Sequence, residues 1–175
     1  MGNFNIMLEI ILNTILEEFA DIPDTAQLTR TTLRLIIAAF LGGILGYERE
    51  KRGKSAGLRT HMLVSLGSAL FILVPEQAGV SLTDLSRVLQ GLIAGVGFLG
   101  AGSIIQGSRQ DQVKGLTTAA SIWLTAAIGM SAGMGRESTA ILSTCLAMII
   151  LTVVPRIFVF IEEHEKPLGK SELDN

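Results

Sequence analysis

Residues 46–61 read GYEREKRGKSAGLRTH and place nine ionisable side chains, counting Tyr47, between two apolar stretches. Acids and arginines that lie so close together can form ion pairs. The same arginines, together with the positive end of a helix that starts nearby, can bind an anion such as a lipid phosphate or a phosphate-bearing ligand. A histidine here can titrate near neutral pH or serve as a hydrogen-bonded helix residue. We therefore expect a polar cluster that includes Glu48, Arg49, Arg59 and His61.

Two predicted helix starts carry a related pattern. Gly57 is followed by LRTH and Gly115 is followed by LTTAA. The first N–H groups of a helix need acceptors from outside the helix, and hydroxyl groups can supply them. At the first of these starts we expect Glu48 to pair with the positive helix end in preference to an external phosphate. The hydroxyl residues assigned to the polar cluster are Thr60, Thr117 and Thr118.

Arg34 is a charge expected at membrane depth, one helical turn before the small residue Ala38. Charges inside a span are costly and are usually paired or functional. The nearest candidates for a shared network are Asp84 and Arg87, which are themselves one turn apart and able to pair. The alternative is an arginine that snorkels to the outer surface of the membrane.

The elements that position these residues are predicted to be membrane helices. The chain has 175 residues, of which 49% are hydrophobic and 17% are charged, and a mean hydropathy of +0.50. This balance is poorer in charge than that of soluble domains. A spanning helix needs about 20 mostly apolar residues. The segments that meet this requirement are residues 31–47, 59–75, 86–106, 116–133 and 138–160.

The N-terminal region is predicted to be a retained amphipathic helix that lies along the membrane surface. Residues 4–19 place apolar side chains at helical spacing, with Glu9, Glu17 and Glu18 on or near the other side. The predicted fold class is therefore all-α, a polytopic helical membrane protein with about five transmembrane helices and this N-terminal helix. The predicted domains are an interfacial segment (1–27), a transmembrane domain (28–161) and a short cytoplasmic tail (162–175).

The distribution of lysine and arginine predicts the orientation of the chain. Five basic residues lie between the first two spans, none lies from Pro75 to Ser86, and Arg109 and Lys114 follow the third span. Because short cytoplasmic loops are rich in lysine and arginine, we expect the N-terminus outside and the C-terminus in the cytoplasm of a bacterial plasma membrane. This rule accounts for the basic residues of the first loop but not for Glu48 and Glu50.

A faint internal repeat relates the two halves of the membrane region. A shift of 58 residues superimposes Phe40-Leu41-Gly42 on Phe98-Leu99-Gly100, and Gly57-Leu58-x-Thr60 on Gly115-Leu116-x-Thr118. Each copy reads as helix, cytoplasmic loop, helix. Both copies would run in the same direction, an arrangement known among transporters.

Small residues at four-residue spacing predict close helix contacts, because helices in a membrane associate through tight backbone packing. One strip begins at Ala38, a second runs through the sequence GVGFLGAG of residues 95–102, and a third joins Gly129 and Gly133. Packing within one bundle is the main prediction, a homodimer contact is the alternative, and a re-entrant backbone is a third. The residues assigned to glycine packing are Gly42, Gly46, Gly91, Gly95, Gly97, Gly100 and Gly102.

Several functional classes are not indicated by the sequence. There is no Walker loop, no HExxH or GxSxG motif, and no paired-carboxylate arrangement. We therefore expect no enzymatic activity and no cofactor. Since magnesium prefers carboxylate oxygens and water and the spans contain almost no acids, we expect no metal site within one protomer.

Three segments together resemble the MgtC/SapB family of bacterial inner-membrane proteins. They are GYEREKRGKSAGLRTHMLVSLGSALF, RVLQGLIAGVGFLGAGSII and VKGLTTAASIWLTAAIGMSAGMG, in the order and spacing typical of the family. The resemblance covers about residues 34–135. The matching motif positions are Arg34, Glu48, Arg49, Gly57, Arg59, Thr60, His61, Gly97, Gly100, Gly102, Gly115, Leu116, Thr117, Thr118 and Trp123.

The resemblance implies a link to growth in low magnesium, to survival inside macrophages and to restraint of the F-type ATP synthase. Longer members carry a soluble domain after the last span, and we expect functions of that domain to be missing from this short form. The primary hypothesis is a non-enzymatic regulator that contacts lipids, a second copy of itself and another membrane complex, but no nucleic acid. The alternative is a small transporter or channel for an ion or small anion, with a polar cluster involving Arg34 and Glu48.

Overall fold

The computed structural model describes residues 2–18, 24–105 and 115–165 of the chain. These residues form six α-helices and no β-strand. The helices are α1 (Gly2–Glu18), α2 (Thr25–Lys51), α3 (Leu58–Gln77), α4 (Leu82–Ile105), α5 (Leu116–Gly133) and α6 (Glu137–Glu165). Helices α2 to α6 are each long and apolar enough to cross a membrane. The predicted fold class, an all-α protein with five membrane spans, is confirmed.

The first spanning helix is longer than predicted at both ends. Its N-cap is Asp24, whose carboxylate accepts hydrogen bonds from the backbone N–H groups of Ala26 and Gln27. This cap starts the helix several residues before its apolar stretch. At the other end the helix continues to Lys51, because backbone hydrogen bonds persist beyond the point where hydropathy falls. The charged residues at 48–51 are therefore on a helix and not in a loop.

Helix α5 lies at the centre of the bundle and α4 lies at its edge. Helix α5 contacts each of the other four spanning helices, and 50% of its apolar window is buried, compared with 11% for α4. Helices α2, α3 and α5 supply most of the buried side chains, including Leu45, Ile72 and Ile128. These three helices form the core, and α4 and α6 pack against it.

Glycines allow the core helices to approach almost to backbone contact. A Cβ atom placed on Gly42 would lie 2.6 Å from the carbonyl oxygen of His61. On α5, a Cβ on Gly129 would overlap the backbone of Ser65, and one on Gly133 would lie 2.8 Å from the carbonyl oxygen of Ala69. Any side chain at these positions would push the helices apart, so the glycine strips of α2 and α5 are packing surfaces within one chain.

The two copies of the internal repeat make equivalent contacts. A Cβ on Gly42 of α2 would contact residue 61, and one on Gly100 of α4 would lie 3.5 Å from the Cβ of Ala119; both pairs are related by the shift of 58 residues. Gly57 and Gly115 are the N-caps of α3 and α5. The α2–α3 and α4–α5 pairs are therefore two versions of one helix hairpin.

Helix α1 stands apart from the bundle. Within the described part of the chain it contacts no other helix, and every side chain from residue 4 to residue 18 is exposed. Its position along the membrane surface stays a prediction. Of the predicted tail, residues 162–165 extend α6, and residues 166–175 lie outside the described residues.

Candidate functional site

A largely buried charged group lies where the end of α2 meets α3 and α5. We call it the Glu48 cluster, and it is formed by Glu48, Arg49, Arg52, His61 and Ser121. Glu48 is 6% exposed and Arg49 is 2% exposed. The Nη1 atom of Arg49 lies 3.5 Å from Oε2 of Glu48, and Nε of Arg52 contacts Oε1 of the same carboxylate. One buried carboxylate therefore faces two guanidinium groups, one of them a turn further along the same helix.

The guanidinium of Arg49 is only partly paired. Its Nε and Nη2 atoms are buried without a hydrogen-bond partner among the described residues. A buried polar group without a partner costs roughly 1–3 kcal/mol, and more if it is charged. The Arg49 side chain thus keeps donors free inside the protein, which is the strongest sign in this cluster of a function beyond packing.

His61 joins the start of α3 to α5 and is fully buried. Its Nδ1 atom lies 2.9 Å from the carbonyl oxygen of Gly57, and since a carbonyl can only accept, Nδ1 carries the hydrogen. The Nε2 atom lies 3.2 Å from the hydroxyl oxygen of Ser121, and that hydroxyl also lies 2.8 Å from the carbonyl oxygen of Thr118. The single hydroxyl hydrogen can be donated to only one of these two acceptors at a time.

The start of α3 is capped by an acid that the sequence did not single out. The backbone N–H of Leu58 donates to Oε2 of Glu50 at 2.7 Å. The N-caps of α3 and α5 are Gly57 and Gly115, which have no side chain that could accept a hydrogen bond. Among the described residues, the hydroxyl groups of Thr60, Thr117 and Thr118 accept none from a backbone N–H. The predicted acceptors, the threonine hydroxyls and Glu48, are wrong. Glu48 faces into the bundle, whereas Glu50, two residues later on α2, faces the turn that leads to α3.

The remaining polar residues assigned near this end of the bundle lie in different surroundings. Arg59 is exposed, and Thr118 is buried in the core. Thr60 lines a cavity of about 400 Å³ with residues of α4. Thr117 lines a smaller cavity of about 140 Å³ beside Leu45. The structure therefore brings Glu48, Arg49 and His61 together. The side chains of Arg59, Thr60, Thr117 and Thr118 are not part of this cluster.

The opposite end of α2 carries a second charged group, the Arg34 cluster, formed by Arg34, Glu76, Glu137 and the carbonyl of Gly133. Nη1 of Arg34 donates to Oε2 of Glu76 and to the carbonyl oxygen of Gly133, each at 3.0 Å. Its Nε lies 3.9 Å from Oε1 of Glu137. The guanidinium packs against Gly135, which has a φ of +70° and no room for a side chain. Arg34 thus links the first half of α2 to the ends of α3 and α5 and to the start of α6.

The partners predicted for Arg34 were wrong. Among the described residues α2 makes no contact with α4, so Asp84 and Arg87 cannot reach it. Asp84 instead accepts a hydrogen bond from the hydroxyl of Ser81 at 2.7 Å, and no ion pair joins Asp84 to Arg87 in the part of the chain that the structure describes. The cause is the arrangement of the helices, in which α3 and α6 are the neighbours of this end of α2.

The two clusters do not form a single site. Arg34 and Glu48 are 14 residues apart on one helix, a rise of about 21 Å, and each has its own partners. The expectation of one polar cluster containing both residues is wrong. Across residues 2–18, 24–105 and 115–165, no three His, Cys, Asp or Glu side chains converge in a way that could hold a metal ion.

Four residues of these clusters were absent from the predicted site, namely Arg52, Ser121, Glu76 and Glu137. Glu76 and Glu137 could have been predicted as partners of Arg34, because in the predicted topology both lie on the same side of the membrane as Arg34. Arg52 lies four residues after Glu48, a spacing that favours pairing on a helix. Ser121 offered no such signal, because its contact with His61 depends on how α3 packs against α5.

Comparison with known proteins identifies the family. The model of the MgtC family matches residues 35–159. The YhiD protein of Escherichia coli, named as a candidate magnesium transporter, is 44% identical over 128 residues, which are 69% of this chain and 59% of YhiD. SrpB of Synechococcus elongatus is 42% identical over 137 residues, 72% of this chain and 75% of SrpB. MgtC of Salmonella typhimurium is 39% identical over 116 residues, 66% of this chain and 48% of that protein.

The chain spans about three fifths of YhiD and about half of the Salmonella protein. No solved structure matches it. The region matched by the family model contains the whole Glu48 cluster and begins one residue after Arg34. Since that model covers more than half of the chain, and SrpB is matched over three quarters of its length, this multi-pass membrane protein belongs to the MgtC family.

Proposed function

We propose that this protein is a non-enzymatic regulator of the bacterial plasma membrane, linked to magnesium limitation and membrane energetics, which acts by binding another membrane protein. The proposal rests on one contrast in the structure. Helices α2, α3 and α5 are closely packed, whereas only 11% of the apolar window of α4 is buried. The link to magnesium is supported by the name of one relative, YhiD, a candidate magnesium transporter. The lysine and arginine distribution favours an outer N-terminus and a cytoplasmic C-terminus.

The core is closely packed where α2, α3 and α5 meet. The buried hydroxyl residues Ser65, Ser68 and Thr125 lie between the two charged clusters. At the level of Ser65, however, the helices are in backbone contact through Gly42 and Gly129. A pathway for an ion would need these helices to separate. Such close contact through small residues is how membrane helices associate stably.

The exposed face of α4 supplies a surface for a partner. We call Ala94, Gly97 and Ala101 the outer face of α4. Phe98 lies at the edge of this face and also lines a cavity between α3 and α4. Phe98 is 85% exposed, and among the described residues no atom lies within 4 Å of a Cβ placed on Gly97. Gly97 and Ala101 are four residues apart, the spacing that lets two membrane helices pack closely. The expected partner is a second copy of the chain or another membrane complex, such as the F-type ATP synthase.

A small transporter or channel remains the alternative function. The free donors of Arg49 beside the buried Glu48 are the observation that favours it, because buried charges inside membrane helices often lie on ion pathways. The parallel internal repeat is a second feature shared with transporters. In this alternative, opening of the core at Gly42 and Gly129 would be part of the transport cycle.

Photo-crosslinking in native membranes tests the proposed contact. In a Cys145→Ser background, Gly97→Cys places a thiol on the outer face of α4 for a photoreactive label, and Leu63→Cys on exposed lipid-facing α3 is the matched control. We expect a discrete adduct from position 97 only, whose mass distinguishes a second copy from another protein. Equal adducts from both positions, or none from position 97, would contradict the proposal.

A further inference from the structure

Helices α3 and α4 are neighbours that pack loosely and leave a groove between them. Gly67 on α3 and Gly91 and Gly95 on α4 have no atom within 4 Å of an added Cβ, as far as the chain is described. A cavity of about 490 Å³ lies here, lined by Phe71 of α3 and by α4 residues that include Gly91, Gly95 and Leu99. Its walls are almost entirely apolar.

A second cavity continues the first along the same helices. It has a volume of about 400 Å³, shares Leu99 with the first cavity, and is lined at its far end by Ser55, Thr60 and Ser103. We call the two cavities together the α3–α4 groove. The groove is apolar over most of its length and carries hydroxyl groups at the end near the basic turn between α2 and α3.

The polar end of the groove is suited to an anion. The hydroxyl groups of Ser55 and Thr60 have no hydrogen-bond partner within residues 2–18, 24–105 and 115–165. Each of these residues is preceded in the chain by an exposed basic residue, Lys54 or Arg59, that forms no ion pair in the same described part. Clusters of basic residues at a membrane surface attract anionic lipid headgroups.

The length of the groove matches one leaflet of a bilayer. Thr60 and Phe71 are 11 residues apart on α3, a rise of about 16 Å. The hydrocarbon core of a bilayer is about 30 Å thick, so this distance is close to half of it. The two cavities together follow this distance along α3. A flexible chain with a charged head at one end fits their shape and polarity.

We propose that the α3–α4 groove binds one anionic phospholipid of the leaflet on the side of the basic turn. The phosphate lies at Ser55, Thr60, Lys54 and Arg59, and an acyl chain extends past Leu99 and Gly95 towards Phe71. Binding of this lipid would fill the gap between α3 and α4. It would hold α4, the helix with the least packing, against the core.

Native mass spectrometry of the purified full chain in detergent tests this site, with phosphatidylglycerol, phosphatidylcholine and inorganic phosphate as the three probes. Gly95→Leu places a side chain in the groove, and Gly97→Leu places the same side chain on the outer face of α4. Both positions lack neighbouring atoms in the described structure, so both variants can fold. We expect one tightly bound phosphatidylglycerol in the wild type and in Gly97→Leu, and its loss in Gly95→Leu.

Two double variants, each lacking two positive charges, test the contact with the headgroup. We expect Lys54→Gln/Arg59→Gln to weaken phosphatidylglycerol binding by roughly fivefold per basic residue removed. The matched control is Arg87→Gln/Arg136→Gln, which removes the same charge from exposed residues at the other end of the bundle and should leave binding unchanged. Equal binding of phosphatidylcholine, binding of inorganic phosphate without lipid, or equal loss in Gly95→Leu and Gly97→Leu would each overturn the proposal.

Discussion

The two hairpins of the internal repeat use the same glycine motif for different purposes. In the α2–α3 hairpin, Gly42 and Gly46 lie in backbone contact with α3, and the hairpin buries Glu48 and Arg49 beside them. In the α4–α5 hairpin Gly100, the equivalent of Gly42, approaches α5, whereas the position equivalent to Gly46 is Ile104. The prediction of close packing within the bundle is wrong for the other α4 glycines, which face open space in the described structure: Gly91, Gly95, Gly97 and Gly102. The motif therefore permits close packing without imposing it. The surrounding helices decide which glycines are enclosed.

The largest effect is expected from a substitution in the charged end of the α2–α3 hairpin. Glu48→Gln removes the carboxylate that faces Arg49 and Arg52 and leaves a buried guanidinium without its counter-charge. Breaking a buried ion pair in this way costs about 3–5 kcal/mol. We expect a loss of this size in the free energy of unfolding, measured in detergent. Glu17→Gln on the exposed α1 is the control. An equally small effect of both changes would contradict the burial of Glu48.

A smaller effect is expected from adding a methyl group to an enclosed or an open glycine. Gly129→Ala adds a methyl group that overlaps the backbone of Ser65, and overpacking of this kind costs about 1–3 kcal/mol. Gly97→Ala adds the same group to open space, where the higher helix propensity of alanine stabilises by up to about 1 kcal/mol. Opposite shifts in thermal stability are expected for the two variants, and shifts of the same sign would be evidence against the packing described above.

The helix starts of the two hairpins offer a third test. Glu50→Gln weakens the acceptor of the Leu58 N–H, and loss of an N-terminal cap typically costs about 1 kcal/mol. Since α5 has no such side-chain cap within the described residues, Thr117→Val at its first turn should change stability by less. Chemical denaturation of both variants measures the difference. A larger effect at Thr117 would mean that capping does not distinguish the hairpins.

The smallest expected effect concerns the Arg34 cluster. Glu76 is half exposed, and exposed ion pairs contribute only about 0–1 kcal/mol. Glu76→Gln should therefore lower stability slightly and less so at high salt, because the pair is screened. Arg34→Gln should cost more, since it also removes the hydrogen bond to the carbonyl of Gly133. Unfolding at low and high ionic strength separates these contributions.

The spans and the repeat could be predicted from the sequence because hydropathy and fixed spacing are local properties. Leu116 and Gly133 bound both the predicted and the observed fourth span. The partners of Arg34 and the cap of α3 could not be predicted, since they depend on which helices are neighbours and which way a helix face turns. Glu48 and Glu50 illustrate this, because two residues of helix separate an acid that faces the bundle from one that faces a turn.

Flux into liposomes tests whether the core is closed, as the proposed regulatory function requires. The purified full chain is reconstituted, and gradients of protons, magnesium and small anions are applied to the wild type, Glu48→Gln and Arg34→Ala, with folding checked by circular dichroism. We expect liposomes that stay tight under every gradient. A wild-type flux that is lost in folded Glu48→Gln and Arg34→Ala would contradict this expectation and make this protein a transporter.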